Sequence, residues 1–219
     1  MQEVTRCVGN DSQDYQQQRY RSLDQMWVNW REQRLLAQLL TQCQIATGTV
    51  LDVPCGYSRF APVYAHLGIT AIGADVSYDM AHLAAANHAR HDRERWLCAN
   101  VLALPFIDSV FDSVLCIRLL HHRYSDVERQ RILRELARVS RRFVIISFYR
   151  PTLLHTVARY WRGSRDRLAM MTLPHLRELA HASGLQIERV HSLLRFCHAQ
   201  TLVVLTKTHS TGGRLCLDS

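Results

Sequence analysis

A single lysine, Lys207, stands among the 27 lysines and arginines of this 219-residue chain, so its positive charge is carried by arginine. Long apolar runs are missing. None approaches the ~18 residues of a membrane-spanning helix, which argues against a transmembrane segment. Cysteine is present but unpatterned: Cys7, Cys43, Cys55, Cys98, Cys116, Cys197 and Cys216 are odd in number and include no C-x-x-C pair. That argues against a disulfide or zinc framework and for a reducing compartment, with most thiols acting as small apolar side chains. No His, Cys or acidic cluster has metal-ligand spacing, so no metal is expected. The start, Met1-Gln2-Glu3, is polar and lacks a signal-peptide pattern, so the expected location is cytoplasmic. A G-x-G-x-x-G run is also absent, which counts against a nicotinamide dinucleotide site.

What is present is ordinary globular material, 47% hydrophobic and 21% charged. The length suits one domain that buries roughly 70% of its unfolded surface. The net charge of +8 is less ordinary. Arginine pairs bidentately with carboxylates and phosphates, so an acidic partner is one reading; arginine-biased codon usage gives the same balance without a partner.

Residues 1–19 are polar and glutamine-rich and are expected to form a flexible segment. From Leu23 to Leu40, apolar residues recur at helical spacing, which predicts one or two helices. Five short β-type runs follow: Thr49–Val53, Thr70–Asp75, Arg95–Cys98, Phe111–Ile117 and Phe143–Phe148. Helical stretches lie between most of them: Phe60–Leu67, Ser77–Arg90 and Asp126–Ser140, the last opened by the capping-box pattern Ser125-Asp126-Val127-Glu128. Alternating strands and helices make βαβ units and a parallel sheet covered on both faces. A helix over Leu173–Ser183, with Pro174 in its first turn and Gly184 as its stop, precedes two strands, Gln186–Leu194 and Thr201–Lys207. Only Arg195–Gln200 separates these two, too short for a parallel crossover, so they should pair antiparallel. The fold class is therefore α/β: a Rossmann-like three-layer sandwich, mostly parallel, seven-stranded, with an antiparallel C-terminal strand pair. The domain is expected over 20–207, with a flexible tail over 208–219.

Open α/β sheets bind ligands at the C-terminal ends of their strands, where strand order reverses. The first such turn is Asp52-Val53-Pro54-Cys55-Gly56-Tyr57-Ser58, in which Gly56 permits close backbone approach. The second ends in Asp75, 19 residues beyond Gly56, the spacing at which a carboxylate can accept hydrogen bonds from ribose hydroxyls. Asn100-Val101-Leu102-Ala103-Leu104-Pro105-Phe106, Phe111-Asp112-Ser113-Val114-Leu115-Cys116 and Arg118-Leu119-Leu120-His121-His122 follow in order.

With these motifs the chain resembles the class I S-adenosylmethionine-dependent methyltransferases, in particular the small branch related to ubiquinone/menaquinone-type enzymes. The likeness runs over roughly residues 20–207. It implies S-adenosylmethionine as cofactor, with the loop from Asp52 through Pro54, Cys55, Gly56 and Tyr57 around its methionine end and Asp75 on the ribose. It also implies Val76 and Met80 against the adenine, Asn100 and the Val101 amide at the adenine edge, and Arg118 and Leu119 where methyl and acceptor meet. The chain departs from the family at Pro54 and Ser58, where glycines often stand, and at Asn100, usually an aspartate.

His121 and His122 are the candidate catalytic pair, since an unperturbed imidazole titrates near ~6.5 and can take a proton at neutral pH. The alternative is that one packs and the other begins a helix. The segment 149–171 is the candidate substrate cover: Leu153, Leu154, Val157 and Trp161 fall at helical spacing, and Arg150, Arg159, Trp161 and Arg162 are its candidate substrate contacts. The expected acceptor is a small or lipid-like, acidic metabolite, with peripheral membrane contact left open. Two rival readings remain. A nucleic-acid methyltransferase is disfavoured, because the fourth strand is followed neither by Asn/Asp-Pro-Pro-aromatic nor by a Pro-Cys turn. The other is an inactive methyltransferase-like partner protein. Oligomeric state is not legible.

Overall fold

The computed structural model describes residues 23–45, 48–87, 94–122, 124–150, 170–194 and 198–208. The elements run α1 (Leu23–Gln42), β1 (Thr49–Asp52), α2 (Ala61–Leu67), β2 (Thr70–Asp75), α3 (Tyr78–Asn87), β3 (Glu94–Cys98) and β4 (Phe111–Cys116). They continue with α4 (Asp126–Val139), β5 (Ser140–Tyr149), α5 (Leu173–His181), β6 (Leu185–Leu194) and β7 (His198–Lys207). Segment 1–19 lies outside the described residues, as do most of 149–171, with Arg159, Trp161 and Arg162, and most of the tail from 208.

The seven strands form one sheet in the order β3-β2-β1-β4-β5-β7-β6. β7 pairs antiparallel with both β5 and β6, and the remaining pairs are parallel. The expected mixed sheet is therefore present, with β7 as its one reversed strand.

The apolar runs are continuous rather than alternating because both faces of the sheet are covered. Along β4, Val114 and Cys116 join one core cluster and Leu115 joins the other. Likewise Val144, Ile146 and Phe148 of β5 face one side and Ile145 the other. The first cluster is closed by Ile132, Leu133 and Leu136 of α4 and by Leu176 and Leu179 of α5. The second is closed by Leu36, Leu39 and Leu40 of α1 and by Val63 and Tyr64 of α2. A buried leucine of this kind contributes ~1.5–3 kcal/mol.

The helix ends follow local chemistry. Ser125 Oγ accepts from the Glu128 amide, and the Glu128 carboxylate accepts from the Ser125 amide at 2.7 Å, closing the capping box that starts α4. Thr172 caps α5, and Gly184 takes a positive φ of 75° just past its end. β5 begins at Ser140, directly after α4 and three residues earlier than the apolar run suggests. Ser140 already pairs with Phe111, across a register shift between Phe111 and Ser113, and donates from its hydroxyl to the Phe143 carbonyl at 2.8 Å. Polar strand residues are invisible to a hydrophobic pattern.

Candidate active site

β1 has β2 on one side and β4 on the other, so strand order reverses beside it and a crevice opens at the C-terminal ends of the three strands. A cleft of about 290 Å³ lies there. The β1 loop supplies Pro54, Cys55, Gly56, Tyr57, Arg59 and Phe60; β2 and α3 supply Asp75 and Met80; the stretch after β4 supplies Ile117, Arg118, His121 and His122.

The loop after β1 is held by its own backbone. Val53 donates to the Leu115 carbonyl and Cys55 to the Ala74 carbonyl, each at 2.9 Å, so the chain keeps pairing with both neighbours past the strand end. Gly56 turns at φ +53°, and a Cβ built there would meet nothing within 4 Å, so its backbone faces open space. Ser58 sits at φ +60°, in the left-handed region that favours glycine. A buried serine, where the family resemblance leads to the expectation of glycine, accepts the strain here, ~1–3 kcal/mol.

Asp75 ties the two turns together. One carboxylate oxygen accepts from the Gly56 amide and the other from the Ser77 amide, both at 2.9 Å. Burial holds its pKa above the ordinary value against these bonds. Each carboxylate oxygen has two acceptor sites, so Asp75 can serve two backbone amides and still receive ligand hydroxyls.

Behind the loop, Asp52 is fully buried and accepts from the Tyr64 hydroxyl at 2.9 Å. Burial pushes its pKa up to about 7. Burial also pushes the Cys55 thiol far up, so it stays protonated rather than acting as a nucleophile.

The far side of the cleft is organised by a residue that the motif reading did not single out. Glu32 of α1 is fully buried and accepts from both terminal guanidinium nitrogens of Arg59, at 2.6 and 2.9 Å, and from Arg118 at 2.6 Å. Gln200 of β7 donates to the same carboxylate. The Arg59 and Arg118 guanidiniums bring the Glu32 carboxyl down to about 2 against its burial. A signal existed: Glu32, Leu36, Leu39 and Leu40 share one face of α1, and an acid on a buried stripe demands a cationic partner. Arg118 itself turns at φ +63° and donates its amide to Ser147 Oγ at 2.7 Å, which aims the chain out of β4 toward the cleft.

His121 is buried, stacked on the exposed His122 at 4.4 Å between ring centroids and set edge-on to Tyr149 at 4.9 Å. Both histidines line the cleft.

The structure thus brings Pro54, Cys55, Gly56, Tyr57, Asp75, Met80, Arg118, His121 and His122 to one wall, together with Arg59, Phe60 and Ile117, which sequence reasoning did not name as site residues. Asp52 lies behind that wall, and Leu119 points into the core. Val76 is half exposed beside Asp75, while Val101 packs partly against the core. Arg150 is exposed after β5. Asn100 is exposed, and its side-chain oxygen accepts from the Leu102 amide at 2.9 Å, forming a turn. Asn100→Ala should therefore cost ~1 kcal/mol of stability and Asn100→Asp much less, because a carboxylate accepts the same bond. Urea unfolding of both variants checks this; equal losses would exclude the turn role.

Among the described residues no group of three or more His, Cys, Asp or Glu could hold a metal ion, and no helix is long and apolar enough to cross a membrane.

Sheet order, reversed β7 and a cleft at the β1–β2–β4 ends define the Rossmann-like fold class of the class I methyltransferases. Residues 51–146 match the family model for a methyltransferase domain. The magnesium protoporphyrin IX methyltransferase of Synechocystis, solved with bound SAH, superposes with a TM-score of 0.76 at 20% identity, over 91% of this chain and 95% of that one. The CcbJ methyltransferase of Streptomyces caelestis gives 0.66 at 15% identity, over 81% and 90%. In sequence, the methyltransferase GfsG of Streptomyces halstedii is 32% identical over 114 residues, half of this chain but only 40% of that protein's length.

Proposed function

We propose that this protein is an S-adenosylmethionine-dependent methyltransferase acting on a small or lipid-like metabolite. One observation carries the reading: every residue lining the cleft falls within the stretch 51–146 that matches a methyltransferase domain. The residues also fit the cofactor. An open glycine backbone, a buried carboxylate 19 positions later and a flanking methionine suit a nucleoside with a ribose diol. In this reading the domain spans 20–207, Asp75 holds the ribose, Val76 and Met80 flank the adenine, and Asn100 with the Val101 amide stands at its edge. The free Cys43, Cys55, Cys98 and Cys116 suit a reducing cytoplasm. The ubiquinone/menaquinone-type motifs favour a small-molecule acceptor over nucleic acid, and the arginine-rich segment with Arg150, Arg159, Trp161 and Arg162 favours an acidic one.

When bound, S-adenosylmethionine supplies a methyl group activated on a positively charged sulfur. The chain's own task is alignment, which can supply ~7–11 kcal/mol. In this reading His121, stacked on His122 and edge-on to Tyr149, orients the acceptor and takes its proton if the accepting atom carries one.

Thermal shift and calorimetry with S-adenosylmethionine and S-adenosylhomocysteine test the reading. Cofactor at 100 times its Kd should stabilise the fold by ~2.7 kcal/mol. No heat of binding at millimolar cofactor would refute it. If His121 takes the proton, His121→Gln should lower kcat by about 10²–10⁴ with cofactor Kd nearly unchanged. Loss of folded protein instead would assign His121 to packing.

A further inference from the structure

Both sides of α1 carry large side chains. Its inner stripe, Glu32, Leu36, Leu39 and Leu40, is buried. Trp27, Trp30 and Arg34 recur at i, i+3 and i+7, which sets them together on the opposite side of the helix. Trp27 is 45% exposed, Trp30 51% and the neighbouring Met26 54%. The Arg31 guanidinium lies over the Trp27 ring at 5.7 Å, and that of Arg34 over the Trp30 ring at 5.4 Å. Each indole is thus steadied by a cation on its face while half of it stays open to solvent. Single exposed apolar residues are common on a protein surface, whereas two tryptophans and a methionine on adjoining turns make a patch.

The chemistry of the patch selects its occupant. An indole has an apolar body and one N–H donor, which suits the layer where hydrocarbon meets water. A guanidinium pairs bidentately with phosphate. The acids of α1 are Asp24, in its first turn, and Glu32, which is turned inward to Arg59, Arg118 and Gln200. Toward the end of the helix Arg189 of β6 donates to Gln42 at 3.2 Å, with Glu188 at 3.6 Å from its guanidinium. The chain as a whole carries a net charge of +8, which draws it to an anionic surface. A second copy fits this face less well. In a two-fold pairing the patch meets itself and sets Arg31 and Arg34 against their own counterparts. Three apolar side chains also fall short of the ~800 Å² per partner that a stable interface buries.

We propose that the outer face of α1, with Trp27, Trp30, Arg31 and Arg34, docks the protein on an anionic phospholipid surface. The indoles enter the headgroup layer and the guanidiniums take lipid phosphates. Asn29 and Glu32 of the same helix hold Arg59 of the cleft wall, so docking by α1 brings the cleft to the lipid surface. The proposal stands apart from the methyltransferase reading, because binding to vesicles needs neither cofactor nor turnover.

Co-sedimentation of the full chain with lipid vesicles tests it. Affinity for vesicles of mixed phosphatidylcholine and phosphatidylglycerol should exceed that for phosphatidylcholine alone by about tenfold or more, and should fall with added salt. Trp27→Ser combined with Trp30→Ser should lower the affinity for the anionic vesicles by about tenfold or more. Both rings are half exposed, so the thermal unfolding of that variant should stay near wild type. Arg34→Gln should lower the same affinity about fivefold, and it serves if the double variant does not fold. No binding to the anionic vesicles, or equal binding to both kinds, would overturn the proposal. So would variants that bind as wild type does. A wild-type dimer in sedimentation equilibrium that the double variant dissociates would also overturn it, by giving the face to a second copy.

Discussion

Glu32→Ala is expected to cost about 3–5 kcal/mol of stability, the range for removing one partner from a buried ion pair and as much as truncating a large core side chain. Glu32 is fully buried, and its carboxylate takes Arg59, Arg118 and Gln200. Truncation leaves two guanidiniums facing each other where a carboxylate stood. Against the ~5–15 kcal/mol total of a typical domain, that loss moves a urea midpoint far outside error. A shift worth less than 1 kcal/mol would show that the cluster does not hold the fold.

The same carboxylate gives the stability a pH signature. Its folded pKa is depressed from 4.5 to about 2. Its contribution, on the order of 3 kcal/mol, is therefore present above 4.5 and lost as pH falls toward 2. Asp52 works with the opposite sign. Burial raises it from 3.8 to about 7, so between those values the folded state holds a proton that the unfolded state has released. Stability should therefore fall as pH rises through that window, by on the order of 4 kcal/mol. Together the two groups place maximal stability near pH 4–5. Asp52→Asn should flatten the neutral side of the curve and leave the acid side alone. A wild-type curve that climbs from pH 5 to 7 would contradict the burial assigned to Asp52.

Asp75→Ala should produce the largest loss of cofactor affinity, about 10²- to 10⁴-fold. Hydrogen bonds to a charged acceptor contribute ~1.5–3 kcal/mol each, and a ribose diol offers two. Part of the loss is indirect, because the carboxylate also anchors the Gly56 and Ser77 amides that shape the turn. Asp75→Asn separates the two contributions. One oxygen still accepts an amide, so the loop largely persists while the ribose loses its charged acceptor. An intermediate Kd, with part of the thermal stability lost because the new side-chain amide nitrogen faces one of the two backbone N–H groups, is the expected result in calorimetry and thermal unfolding. Unchanged affinity in Asp75→Ala would remove Asp75 from the ribose site.

Sequence alone determined most of the strands and their turns, because those are short-range matters. Apolar runs at strand length, the capping box at Ser125 and Glu128, the glycine stop at Gly184 and the short link before β7 are each written within a few residues. The Gly56-to-Asp75 relation was also legible, because one βαβ unit fixes it. What only the tertiary structure decided is how distant loops converge. Glu32 and Gln200 stand 168 positions apart, and Glu32 and Arg118 stand 86 apart. No local spacing encodes those meetings. They exist because the strand order brings β4 and β7 alongside β5 and α1 packs its leucines on that face of the sheet, so a lone acid on an apolar helix stripe meets Arg118 and Gln200. The same holds for Asp52 and Asn100. Sequence proposes both for a cofactor site, and packing decides their protein partners, the Tyr64 hydroxyl for Asp52 and the Leu102 amide for Asn100. A side chain's direction depends on which neighbours reach it, and that is settled only when the chain has folded.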